Sequence, residues 1–228
     1  MRFKSLVLVS ALAAAGTANA GVLTYWDFNN QNNTPSIGTG TVSLQGGVTS
    51  PGYNSDNGSS DPAATAFGLQ TTSYPAASTG DKTAGVAFFV STLGMQDISF
   101  SFDLRTSNTA SRYFLAQYTT DGSTWNDSSL FTSAGGDTWN NTNTVNLSGI
   151  SAVNNNANFG FRVVATFAPG TSNYAASRTT VATNYSSAGT YRFDTVSVSG
   201  DVQPVPEPAS MVALGLGAAA MLRRRRKA

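Results

Sequence analysis

The sequence predicts an all-β protein, a two-sheet antiparallel sandwich of the jelly-roll type, and three observations carry that prediction. Apolar residues recur at every second position. The pattern is clearest over 96–105, where Ile98, Phe100, Phe102 and Leu104 share one face and Ser99, Ser101, Asp103 and Arg105 the other. Clusters of Asn, Gly, Ser and Thr separate such runs, as turns separate short strands. No long stretch of the central segment places apolar residues at helical spacing, and many short strands divided by turns pack as a sandwich.

Taken in order, strands are predicted at 22–28, 41–45, 65–69, 85–90, 96–105, 112–119, 129–132, 144–147, 158–167 and 190–199. Thr120-Asp121-Gly122-Ser123 turns the chain towards Trp125, and Asn57-Gly58 forms a second turn pair. Residues 29–39 and 46–63 are poor in apolar side chains and read as loops at the sandwich edge. Residues 148–155 suit one short helical turn, and no internal repeat is present.

The two ends are built differently from the centre. Arg2 and Lys4, an apolar run over 6–15, and Ala18-Asn19-Ala20 have the three parts of a secretory signal peptide, so the mature chain is expected to begin at Gly21. At the other end Pro204, Pro206 and Pro208 surround Glu207, the only glutamate. An uncharged apolar run over 209–222 follows, and then Arg223, Arg224, Arg225, Arg226 and Lys227. As a helix the apolar run reaches only ~21 Å, against about 30 Å of hydrocarbon, so it is a short transmembrane helix that depends on arginine snorkelling and bilayer thinning. The basic cluster stays in the cytoplasm, and everything before Pro204 then lies outside. The prolines hold 205–208 extended, an exposed strip that suits a processing enzyme. Three segments result: a signal peptide over 1–20, a secreted sandwich over 21–203 and a sorting tail over 204–228.

Charge and composition narrow the chemistry of the secreted segment. Between Gly21 and Pro204 there are six basic and eleven acidic residues, a net charge of −5, and the whole-chain value of +1 comes from the targeting ends. Such a domain has no electrostatic footprint for nucleic acid. With no histidine and no cysteine, Ser-His-Asp and Cys-His catalysis and the usual zinc sites are excluded, and stability must come from a packed core without disulfides. A hydrolase of polysaccharide would have to use a pair of aspartates as acid and base. That is the alternative to a non-enzymatic protein.

The tail, with Pro206-Glu207-Pro208, the apolar run and the terminal basic cluster in that order, resembles the PEP-CTERM sorting signal of bacteria that make exopolysaccharide. The resemblance implies an exosortase substrate. Such a protein passes the secretory translocon and signal peptidase, is held briefly in the inner membrane, and is then released to the outer cell surface or the extracellular matrix. A fainter resemblance spans 96–199, through Phe100-Ser101-Phe102-Asp103-Leu104-Arg105, Phe114-Leu115-Ala116-Gln117-Tyr118, Asn158-Phe159-Gly160-Phe161-Arg162 and Tyr191-Arg192-Phe193-Asp194-Thr195-Val196. It is similar to the jelly-roll exodomains of PEP-CTERM proteins and, in outline, to galactose-binding-like and carbohydrate-binding modules. In those modules an aspartate of the last strand shares a structural calcium with residues near the first. Here that resemblance points to Asp194, with Asp27 of Trp26-Asp27-Phe28 as partner by strand order. Two aspartates fall short of the six or so oxygens calcium takes, and both also suit a solvated or arginine-paired role.

Aromatic residues are the remaining candidates. Trp125 and Trp139 lie in turn-rich sequence and either stack on sugar rings or fill the interior, whereas Trp26 in an apolar strand reads as core. Arg105, Arg162 and Arg192 sit on predicted strands, where they can support carboxylates across a sheet. The reading that joins these observations is an exported, exosortase-processed protein of the cell surface or matrix, structural or carbohydrate-binding, associated with exopolysaccharide or biofilm.

Overall fold

A computed structural model describes residues 21–204, and these form two antiparallel sheets packed face to face. The strands are β1 (Gly21–Trp26), β2 (Thr41–Gln45), β3 (Thr49–Ser55), β4 (Phe67–Thr72), β5 (Gly85–Phe89), β6 (Met95–Thr106), β7 (Tyr113–Thr119), β8 (Asn126–Thr132), β9 (Thr138–Asn146), β10 (Gly160–Ala165) and β11 (Tyr191–Val202). Among the described residues a single 3-10 turn, Ser151–Val153, falls inside the stretch expected to hold a helical turn. One sheet has the order β3-β4-β11-β6-β9 with β1 added to β11; the other has the order β2-β5-β10-β7-β8. The predicted sandwich is therefore present, and one strand was missed. β3 lies inside the segment read as loop, because Pro51 and Gly52 break its pattern; it survives as an edge strand with a register shift between Thr49 and Gly52.

Period-two alternation builds the core. Ile98, Phe100, Phe102 and Leu104 all point inward and are buried, as their spacing requires. Phe161 of β10 lies stacked between Phe100, with centroids 4.1 Å apart, and Phe88, at 5.0 Å, and so joins the two sheets. Trp26 is buried against Phe88 and donates its indole N–H to the Asn33 carbonyl. Truncating so central a ring leaves a cavity the sheets cannot close. Phe161→Ala should lower unfolding free energy by about 3–5 kcal/mol, read as a drop in denaturant midpoint at constant slope; a loss near zero would mean the rings do not stack across the sheets.

Two features of this frame matter for function. Gly21 pairs with Gly200, and Val202 pairs with Met95, so the first and last residues of the sandwich leave from the same end. The twelve-residue β11 also serves two neighbours along one edge: β4 pairs as far as Phe193, and β1 takes over at Val196. Between them the chain bulges at Asp194 and Thr195.

Candidate functional site

The bulge is the root of a carboxylate cluster. Thr195 is held at φ 46, an outlier for a β-branched residue, and its N–H donates to Asp194 Oδ1 at 2.8 Å. The distortion leaves Asp194 facing the β3–β4 loop across the gap between β4 and β1. That loop brings Asp56 and Asp61, and one oxygen from each of the three carboxylates lies within 4.8 Å of the others. Asp194 is fully buried and Asp56 nearly so.

The loop is fastened over the sheet by side chains from three strands. Asp103, paired with Asp194 across β6 and β11, accepts the Ser60 N–H and hydroxyl through Oδ2 and the Thr142 N–H through Oδ1. Trp139 of β9 donates its indole N–H to the Asn57 carbonyl, and Asn141 donates to that of Gly58. Arg192 donates to the Ser55 carbonyl and, at 2.7 Å, to Gln70 Oε1. Gly58 sits at φ 100, where a side chain would be strained and its Cβ would fall 3.1 Å from the indole of Trp139. A turn glycine is thus required for the loop to lie flat on the tryptophan.

Most of the cluster's oxygens already have protein donors. Asp56 Oδ2 accepts the Ser59 hydroxyl, Asp61 Oδ1 the Ala63 N–H, and Asp61 Oδ2 the Asn29 side-chain amide. Asp194 Oδ2 is buried with no partner. Burial, and then the neighbouring Asp56 carboxyl, push Asp194 up to about 9. The local negative charge also reaches Tyr25, whose phenol is pushed well up by burial and then by Asp61, Asp194, Asp27 and Asp103. An orphaned buried oxygen beside two further carboxylates fits a hard cation, and the all-oxygen donor set suits calcium rather than zinc.

The residues singled out in the sequence fall in different places. Asp194 is in the cluster; Asp27 is outside it, with Oδ1 accepting the N–H of Asn29, and that same Asn29 reaches on to Asp61. The tryptophans lie apart: Trp139 is on β9 of one sheet, and Trp125 is in the turn before β8 of the other. Trp139 packs on the aspartate loop, whereas Trp125 stacks over the Arg162 guanidinium, 4.5 Å from its ring centroid, beside Phe89. Of the strand arginines, Arg105 pairs with Asp137 at 2.9 Å, while Arg162 donates to Gln117. Ala18, Ala20, Pro206, Glu207, Pro208, Arg223, Arg224, Arg225 and Arg226 lie outside the described residues. Sequence reasoning passed over Asp56 and Asp61 as turn residues. The signal was the density of Asp56-Asn57-Gly58-Ser59-Ser60-Asp61, oxygen-bearing side chains around a turn glycine.

No curated protein matches the chain. Among solved structures, the CBM22-1–CBM22-2 tandem domain of Xyn10C from Paenibacillus barcinonensis is similar, with 13% identity, 86% of this chain covered and a TM-score of 0.50. This chain spans 49%, about half, of that tandem. The CBM22-1 xylan-binding domain of the same protein has 11% identity, 83% of this chain and 100% of its own covered, and a TM-score of 0.48. The K1 cleaved adhesin domain of Lys-gingipain from Porphyromonas gingivalis has 12% identity, coverage of 80% and 98%, and a TM-score of 0.40. At these identities the likeness to the tandem shows a shared sandwich fold. The PEP-CTERM protein-sorting motif matches residues 204–227, a span that contains Pro206, Glu207 and Pro208. That motif implies export, transient membrane anchoring and processing by exosortase. The chain is accordingly an exported β-sandwich protein that ends in a PEP-CTERM sorting signal.

Proposed function

We propose that this is an exosortase-processed protein of the cell surface or extracellular matrix. Its sandwich, residues 21–203, works without catalysis as a structural or carbohydrate-binding component among exopolysaccharide. The observation that carries the reading is the sorting motif at 204–227 placed directly after β11, whose last residues lie beside the first residues of the domain. Signal peptide and tail then attach at one end, and the sandwich hangs outward from the membrane. The fold shared with a carbohydrate-binding tandem supports a binding role. Asp56, Asp61 and Asp194 hold a structural calcium that clamps the β3–β4 loop to β11; Asp27 supports it through Asn29. A hydrolase would need its acid and base exposed to substrate, so the buried pair Asp194 and Asp56 does not suit that role.

Mass spectrometry of the mature protein's ends, in cells with and without exosortase, tests the central claim. The expected result is a chain beginning at Gly21 and ending near the motif only where exosortase is present. Identical C-termini in both strains would overturn it.

A further inference from the structure

The sandwich carries a second candidate site on the other sheet, at the end away from its termini. β5 separates the two regions: Asp81 and Lys82 precede its first residue, and its last leads through a short loop to Met95, beside Val202. At the distal end lies a cleft of about 360 Å³, a size within the usual range for small-ligand sites. Its apolar floor is Leu115 and Leu130, opposite each other on β7 and β8. Leu130 is 51% exposed on the outer face of β8, while its neighbour Phe131 packs inward against Phe102 and Phe114. One wall is the turn after β10, with Phe167 and Pro169.

This wall is preformed. Asp81 Oδ1 accepts both the Thr166 hydroxyl and the Phe167 N–H at 2.8 Å. The turn closes on itself through Ala168 N–H to the Asn173 carbonyl and Thr171 N–H to the Ala168 carbonyl, and Phe167 packs edge-on against Tyr174. A rigid cleft loses little conformational freedom when a ligand enters.

Polar groups converge on one side of the apolar floor. Lys82 Nζ meets Asp127 Oδ2 at 2.5 Å, both side chains remain more than two-fifths exposed, and Gln117 donates to the other Asp127 oxygen. Partial burial works to raise Asp127, but the hydrogen bonds from Lys82 and Gln117 and the charge of Lys82 outweigh it and hold the carboxyl below its ordinary value. The cleft thus presents an ammonium donor and carboxylate acceptors side by side and, with Asp81, an excess of negative charge. Such a pair suits adjacent hydroxyls, one donating to Asp127 and one accepting from Lys82. An anionic ligand would meet two carboxylates against one ammonium. An aliphatic floor beside this pair matches the C–H face of a sugar ring, and it favours a sugar that adds a methyl group.

We propose that this cleft, rather than either tryptophan, binds a neutral pyranose, with its C–H face on Leu115 and Leu130 and adjacent hydroxyls on Lys82 and Asp127. The assignment rests on the carbohydrate-binding reading above and gives it a location and a ligand class. Trp125 lies at the far end of the same polar row, reached through Gln117 and Arg162, and so is the competing site.

Saturation-transfer NMR on the mature protein decides between them, with methyl glucoside, methyl rhamnoside and methyl glucuronide as probes, and polysaccharide extracted from the producing cells as a further ligand. Neutral glycosides should receive saturation at their ring C–H protons, the rhamnoside most strongly, and the glucuronide none. Leu130→Asp, at an exposed position that should not disturb folding, should weaken binding at least about tenfold, as should Lys82→Met, while Trp125→Ala leaves it intact. Binding unchanged in Leu130→Asp, or lost only in Trp125→Ala, would overturn the cleft and leave the carbohydrate reading standing. If none of the glycosides and no extracted polysaccharide bind, the carbohydrate reading falls with it.

Discussion

Replacing Glu207 by Ala should leave an unprocessed precursor in the membrane fraction while the sandwich folds normally. Pro206 and Pro208 disfavour helix around Glu207, and its carboxylate is the single negative charge in the matched sorting motif that a processing enzyme could read. Deleting Arg223 to Lys227 should give the same accumulation for another reason. Without that cluster the short apolar run loses its cytoplasmic stop and slips, and the motif no longer sits at a fixed height. Immunoblots of membrane and culture fractions, with mass spectrometry of the released C-terminus, read both outcomes. The expected loss of release is on the order of tenfold or more, comparable to removing an essential recognition group. Wild-type amounts of both variants outside the cell, with the wild-type C-terminus, would mean that the tail does not direct sorting.

Chelation should lower the melting temperature of the mature protein, with a pH dependence that identifies Asp194 as the responsive group. A ligand that binds only the folded state stabilises it by about 2.7 kcal/mol at a hundredfold excess over Kd, or roughly 5–10 °C for a domain of this size. The sign with pH follows from the raised value of Asp194, about 9 against an ordinary 3.8. Between those limits the folded, calcium-free protein holds a proton that the unfolded chain has released, so the contribution of Asp194 to stability is full below pH 4 and is lost as pH rises towards 9. Calcium displaces that proton and should bind more tightly as pH rises across the same window. Asp194→Asn removes the buried ionisable group. The variant should be indifferent to chelator, and at pH 8 more stable than the chelated wild type. Melting curves of the wild type that superimpose with and without calcium at pH 8 would remove the metal site.

How far the sequence reached differs from element to element. β6 was legible because its alternation depends only on the chain's own pleat, which sends Phe100 and Phe102 to one side whatever packs there. β3 was not, because Pro51 and Gly52 are tolerated only where a strand has one neighbour, and no local pattern says which strand is an edge. Asp103 shows a subtler limit. Its face was read correctly as the one away from the core, yet it is 1% exposed because the β3–β4 loop covers it.

The sorting motif at 204–227 was legible for the same reason as β6, since it acts as a linear segment whose charge, length and apolarity are properties of adjacent residues. Composition alone likewise removed histidine and cysteine chemistry and left a net-acidic central segment. The meeting of carboxylates was decided by tertiary structure. Strand order suggested Asp27 as the partner of Asp194, but the bulge at Thr195 and the anchors at Trp139, Asn141 and Arg192 bring in Asp56 and Asp61 instead. Tertiary structure also turned Trp139 into a support for a loop and set Leu115 beside Leu130. The physical reason is that an alternating pattern tells a side chain which face of its own strand it occupies, while the groups it meets there depend on sheet order, register and the path of loops, which are settled only when distant parts of the chain pack together.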